Sequence, residues 1–172
     1  MKLEEHPTVK KRLESALPVA PVIPKALDAA WLKQMLLEAG ADDVGFVEIH
    51  RSELDNQRET ILSAFPYTKT LVSFVVRMNR EAIKTPARSV SNLEFHHTGD
   101  QVNDIARAVV RRLEDKGIRA MNPAMGFPME MGEFPDGDKI WIVSHKPVAV
   151  AAGLGMMGIH RNIIHPIFGN FI

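Results

Sequence analysis

Three closely spaced glycines near the end of the chain restrict its fold more than any other feature. They stand in the sequence AGLGMMG over Ala152–Gly158, which we call the glycine segment. Glycine has no Cβ, so the backbone can turn sharply here and can approach a flat or anionic ligand closely. A second small turn, from Pro166 to Gly169, closes the unit. We therefore place the candidate ligand site at this segment.

The composition is that of an ordinary globular protein without cysteine. Its 172 residues suffice for one domain with a hydrophobic core, and the formal net charge is zero. This balance gives no indication of a nucleic acid partner. The chain has no apolar run of about 18 residues and no signal-peptide core, which favours a cytoplasmic protein without a membrane span. Without cysteine, these residues hold neither a disulfide nor a thiolate-bound iron–sulfur cluster.

Helical and β-rich patterns mix along the chain and predict a layered α+β or α/β domain. Thr98 and Gln101 fit a capping box at the start of the longest helix, which we expect to end at Gly117. The other predicted elements are helices over 25–39, 52–64 and 146–152, and strands over 43–49, 70–76, 118–121, 140–143 and 162–164.

Two stretches fall outside these elements. Residues 1–24 carry a charged run followed by Pro18, Pro21 and Pro24, which disfavour regular structure, so we predict an N-terminal arm and a domain over 25–172. Residues 122–138 are rich in proline and glycine, and so long a connection is typical of a binding loop or lid.

The glycine spacing also matches a dinucleotide fingerprint, but its surroundings do not. That fingerprint requires a preceding strand and an acidic residue about 20 positions later, and here the preceding segment has a helical pattern. The chain ends before such an acid could occur. The segment also lacks the Lys-Ser/Thr ending of a phosphate-binding P-loop. A nucleotide-binding Rossmann site is therefore disfavoured.

A longer pattern resembles one protein family. The run from His145 to Gly158, with Pro166 and Gly169 downstream, resembles the cobalamin-binding domain of epoxyqueuosine reductases and the related segment of reductive dehalogenases. Asp43-Val-Gly-Phe and the Pro66-Tyr67 step fit the family more loosely. The resemblance implies an α+β, nitroreductase-like layered α/β sandwich with a mixed sheet. It also implies cobalamin as cofactor, with electrons from four-iron four-sulfur clusters in a following ferredoxin-like domain that this cysteine-free chain lacks.

The resemblance also suggests the site residues. A proton-donating aspartate precedes the glycine segment in the family, and Asp138 is its best positional match. His160 is a candidate to face the corrin or the substrate as a proton shuttle, and Arg161 suits phosphate or propionamide contacts. The expected cofactor contacts are therefore Ala152, Gly153, Leu154, Gly155, Met156, Met157, Gly158 and Arg161, with Asp138 and His160 as catalytic residues.

Departures from the family pattern indicate a different substrate. Met156 replaces the family's usual tryptophan, and Ile159-His160 replaces its Lys-Asn pair. A small molecule or nucleoside other than the queuosine precursor is expected, with an iron–sulfur donor domain or protein as partner. Because the chain stops after an apolar Phe171-Ile172, we expect a piece of a longer protein or one half of a split system.

Two other functions fit the same residues. The first is a flavin-binding, nitroreductase-like domain, which would be a homodimer because such domains pair across the site. The second is a non-catalytic corrinoid carrier or a scaffold for an iron–sulfur partner. His96 and His97 are adjacent, point in different directions and have no carboxylate at ligand spacing, so we expect no metal site there. The methionines suit a corrin or flavin pocket, but core packing explains them as well.

Overall fold

The computed structural model describes residues 2–14, 26–123, 125 and 142–172. Short 3₁₀ turns cover Leu3–Glu5 and Ser52–Leu54. The α-helices are α1 (Pro7–Glu14), α2 (Ala29–Glu38), α3 (Arg58–Ala64), α4 (Arg80–Lys84), α5 (Arg88–Glu114) and α6 (His145–Ala151). The strands are β1 (Asp43–Glu48), β2 (Thr70–Val75), β3 (Met156–Met157) and β4 (Ile163–Ile164).

The antiparallel pair of β1 and β2 forms the middle layer. Its register runs from Asp43 opposite Val75 to Glu48 opposite Thr70. Successive side chains of a strand point to opposite faces, so Val44 packs with one group of helices and Val47 with another. The central pair is therefore covered on both faces.

Helices α2 and α5 cover the first face. The side chain of Asp28 caps α2 by accepting a hydrogen bond from the Trp31 amide at 2.7 Å, which satisfies one of the free amides at the helix start. Leu36 is 1% exposed at the centre of this layer. The buried side chains of this face are Leu32, Met35, Leu36, Ala41, Val44, Val76, Ile105, Val109 and Leu113.

Helices α3 and α6 cover the second face, together with the hairpin of β3 and β4. Leu54 and Ile61 pack with Val47 and Val148 in one cluster. In a neighbouring cluster, Val75 packs with Ala149, Leu154 and Ile163. Gly45 allows the close approach of α6, because a Cβ at this position would overlap the carbonyl oxygen of Ala152. The missing side chain of Gly45 thereby places the glycine segment directly on β1.

This helix–sheet–helix arrangement confirms the layered mixture of helices and strands that the sequence predicts. The helix over 25–39 and the strands over 43–49 and 70–76 form with small shifts at their ends. The helix over 52–64 is divided into a 3₁₀ turn and α3. Both strand pairs in the described ranges are antiparallel, so a mixed sheet stays a prediction.

Two of these predictions are wrong. Helix α5 begins at Arg88, so Thr98 is no cap; it lies buried within the helix and its Oγ1 donates to Glu94. Residues 118–121 are not in a strand. Residues 3–5 and 7–14 are helical and α1 has no buried residue, so the arm over residues 1–24 stays a prediction. Residues 15–25 and most of the 122–138 loop lie outside the described residues.

The turn that follows the end of α5 closes at Gly117, as predicted, and the positive φ of 74° at this residue favours glycine. In the part of the chain that the structure describes, no helix combines the length and the apolar character needed to cross a membrane.

We expect Gly45→Ala to lower the free energy of unfolding by about 2 kcal/mol, because the added methyl group must displace the end of α6. Gly99→Ala is the matched control. Its Cβ would meet only the flexible tip of Met125, at 3.2 Å, and alanine stabilises a helix interior by about 1 kcal/mol relative to glycine. Urea denaturation measures both values. A Gly45→Ala protein as stable as the unmodified chain would contradict this packing.

Candidate ligand-binding site

The first glycine of the glycine segment ends helix α6. The Leu154 amide donates to the carbonyl of Ala149 at 2.9 Å, and the Gly153 amide donates to that of Val150 at 3.0 Å. With Gly153 at φ 81°, these bonds form a Schellman motif, which favours glycine at this position. Leu154 follows and is 2% exposed against Ala149 and Val75. Gly153 therefore has a structural role at the helix end.

The second glycine serves the hairpin of β3 and β4. Met156 pairs with Ile164 and Met157 with Ile163 in an antiparallel register. A Cβ on Gly155 would overlap the carbonyl oxygen of Ile164. A side chain at Gly155 would consequently disturb the hairpin.

The third glycine opens the turn that joins the two strands. The Arg161 amide donates to the carbonyl of Gly158, and the Gly158 amide donates to that of Asn162, both at 2.9 Å. Arg161 has a φ of 62°, so the connection matches a three-residue hairpin loop whose last residue is left-handed. Glycine is the usual residue there, and a non-glycine residue pays a steric cost of about 1–2 kcal/mol.

One side of this hairpin is apolar and exposed. Met156 and Ile164 are register partners and share that side, with 67% and 38% of each residue exposed. A Cβ on Gly158 would lie 3.0 Å from Ile164 Cδ1, so Gly158 faces the same way. We call Met156, Gly158 and Ile164 the hairpin face. Because neighbouring strand residues point to opposite sides, a flat ligand on this face contacts Met156 but not Met157.

Polar groups surround the tip of the hairpin. Lys146 Nζ donates to the Arg161 carbonyl at 3.0 Å and to Asn162 Oδ1 at 2.7 Å, which ties the turn to α6. His160 Nδ1 accepts the Asn162 amide at 3.1 Å, so a neutral His160 ring carries its proton on Nε2. Ile159 is fully exposed beside it. The candidate catalytic residue His160 thus presents a hydrogen-bond donor to the surroundings.

Sequence reasoning missed the role of a buried histidine just after the hairpin. His165 is 1% exposed. Its Nδ1 accepts the backbone amides of Ile167 and Phe168 at 3.2 and 3.3 Å. Nδ1 therefore carries no proton, and Nε2 donates to Asp43 Oδ2 at 3.2 Å.

Asp43 is the acceptor at the centre of this contact. Burial alone would raise the pKa of Asp43, but hydrogen bonds from Lys33, the Val44 amide and His165 outweigh it and hold the pKa below its usual value of 3.8. The distances to Oδ1 are 3.0 Å from Lys33 Nζ and 2.7 Å from the Val44 amide. Asp43 is therefore ionised at neutral pH, and this charge holds His165 against the start of β1.

The structure brings the predicted cofactor contacts, Arg161 and His160 together in one helix end and one hairpin. Asp138 lies outside the described residues. His96 and His97 are exposed on α5. Among the described ranges, no three His, Asp or Glu side chains converge in a way that would hold a metal ion.

Arg161→Gly and Arg161→Ala separate the backbone cost at this position from the function of the guanidinium. Both remove the side chain, but only glycine relieves the left-handed φ. We expect the free energy of unfolding of the Arg161→Gly protein to exceed that of the Arg161→Ala protein by about 1 kcal/mol. Urea denaturation measures both values. Equal stabilities of the two variants would show that the turn does not hold residue 161 in this conformation.

No family model, no curated protein and no solved structure matches this chain. The resemblance to the epoxyqueuosine reductase family consequently depends on the motif residues around the glycine segment, and no wider relationship supports it. The function must be inferred from the groups that the hairpin presents.

Proposed function

We propose that the hairpin face binds a corrinoid and that the chain is the cofactor-binding module of a reductase resembling epoxyqueuosine reductase. The observation that carries this proposal is the exposed apolar pair Met156 and Ile164, held beside the glycine segment by a hydrogen-bonded hairpin. Apolar side chains grouped on an exposed surface are typical of a binding site. The layered fold is compatible with a nitroreductase-like sandwich, which we include in the proposal.

The residues present suit a corrin. Its flat macrocycle needs an apolar surface, which Met156 and Ile164 supply, and the imidazole of His160 packs beside them against Gly158. Its peripheral amides need hydrogen-bond partners, and the tip supplies the guanidinium of Arg161 and the Nε2 proton of His160. Met156 is soft and flexible, which lets it adapt to an irregular ligand surface.

A bound corrinoid would supply cobalt-centred reductive chemistry, while the protein would position it. The chain's own residues would cover one face of the macrocycle and would orient it by hydrogen bonds to the amides at its edge. His160 would donate a hydrogen bond from Nε2, and Asp138 remains the candidate proton donor. Because the chain has no cysteine, the electrons would come from iron–sulfur clusters elsewhere. A small molecule or nucleoside would be the substrate.

An anaerobic titration with hydroxocobalamin, followed by visible absorbance and calorimetry, tests the proposal. We expect saturable binding with a changed cobalt spectrum, and weaker binding by about tenfold for Met156→Ser, because an apolar contact of about 1.4 kcal/mol is lost. Met157→Ser is the matched control, since it removes the same side chain from the other side of the strand. Its affinity should equal that of the unmodified protein.

Three results would contradict the proposal. Hydroxocobalamin that does not bind excludes a corrinoid site on this chain. Equal loss in Met156→Ser and Met157→Ser excludes the hairpin face as its location. Saturable binding of flavin mononucleotide in place of the corrinoid supports the flavin-binding alternative instead.

A further inference from the structure

A cleft lies away from the hairpin face, between the end of β2, helix α5 and the last residues of the chain. Its volume is about 690 Å³, within the range of small-molecule sites. Its lining joins charged and apolar groups: Arg77, Met78, Asn79, Arg80, Glu94, Ile167, Phe168 and Phe171. Neither the glycine segment nor its hairpin contributes to it.

Hydrogen bonds fix the walls of this cleft. The Met78 amide donates to the Phe171 carbonyl at 2.9 Å, which joins the last residues to the chain after β2. On the other side, Glu94 Oε1 accepts the Asn79 amide at 2.6 Å and the Thr98 hydroxyl at 3.3 Å. The carboxylate is therefore held in place by two donors on one oxygen, and the cleft does not need to be assembled by its ligand.

The two arginines of the cleft have different surroundings. Arg77 Nε meets Asp42 at 2.7 Å, so its charge is compensated. Arg80 has no carboxylate within ion-pair distance among the described residues, and its guanidinium lies over the ring of Phe171, 5.4 Å from the centroid. A guanidinium over an aromatic ring retains N–H groups that can bind a carboxylate. Arg80 is thus a cation positioned for an anionic group.

The charges that remain are one cation, Arg80, and one anion, Glu94, beside an apolar wall that includes Ile167, which is 72% exposed. A simple anion would match Arg80 but would be repelled by Glu94. A ligand with a carboxylate, an ammonium group and an apolar ring complements all three features. We propose that this cleft binds an aromatic α-amino acid, with its carboxylate on Arg80, its ammonium on Glu94 and its ring against Ile167 and Phe171.

L-Phenylalanine is the probe, with 3-phenylpropionate and 2-phenylethylamine as controls that lack the ammonium group and the carboxylate. Titrated to about 10 mM and followed by amide chemical shifts, phenylalanine should bind at least about tenfold more tightly than either control, because each lacks one charge-assisted contact. The shifts should move at Met78, Asn79 and Phe171 and not at Met156.

Two charge-removing variants assign the contacts. Arg80→Gln should weaken phenylalanine about tenfold and leave 2-phenylethylamine unchanged. Glu94→Gln keeps an oxygen for the Asn79 amide, and should weaken phenylalanine to a similar extent while leaving 3-phenylpropionate no weaker. Arg107→Gln, on an exposed part of α5 outside the cleft, is the control and should bind like the unmodified protein.

Absence of phenylalanine binding overturns the proposal, as does equal binding of the three compounds. Shifts centred on the hairpin face, or an Arg80→Gln protein with unchanged affinity, also overturn it. Because no corrinoid is present in these titrations, their outcome is independent of the function proposed for the hairpin.

Discussion

The contact between His165 and Asp43 joins the last part of the chain to the first strand of the sheet. Asp43 begins β1, and His165 directly follows β4, so one hydrogen bond connects positions 122 residues apart in sequence. The face of the His165 ring also stacks on the ring of Phe168, with centroids 4.6 Å apart, and the guanidinium of Arg77 lies over the Phe168 ring. The hairpin before His165 and the cleft wall after it both depend on this histidine.

A buried polar ring is acceptable only when its polar atoms are paired. His165 meets this condition at both nitrogens, with two amides on Nδ1 and a carboxylate at Nε2. Asp43 in turn has the Lys33 ammonium and the Val44 amide as further donors. The network therefore fixes both the orientation of the ring and the position of its proton, and that orientation sets where the hairpin leaves the sheet.

Local patterns in the sequence were sufficient for much of the sheet layer. The β-branched runs of β1 and β2 and the helical stop at Gly117 could be predicted because each depends on neighbouring residues. The start of α5 could not, since its first turns bury little: Val90, Leu93 and Phe95 are all largely exposed and make no apolar stripe facing a core. The partnership of His165 with Asp43 had no local signal at all, because it forms only when the layers assemble.

The glycine segment shows that the candidate site, too, could be predicted only in part from local sequence patterns. From sequence, its glycines indicate a backbone that can approach a ligand. In the fold, Gly153 ends a helix and Gly155 meets the backbone of β4, so these two have structural explanations. The ligand site is better described by the side chains that the hairpin leaves exposed. Their proposed role and the amino-acid cleft both require that the segment from β3 to Phe171 stays fixed on β1.

The protonation of the His165 ring tests that requirement most directly. A long-range ¹H–¹⁵N correlation spectrum at neutral pH distinguishes a protonated from an unprotonated ring nitrogen, and the His165→Gln protein identifies which signals belong to this residue. A neutral ring with its proton on Nε2 and an unprotonated Nδ1 is expected from the contacts with Asp43, Ile167 and Phe168. A proton on Nδ1 would contradict the contacts with Ile167 and Phe168, and a ring without a proton on Nε2 would contradict the contact with Asp43 that connects the hairpin to the sheet.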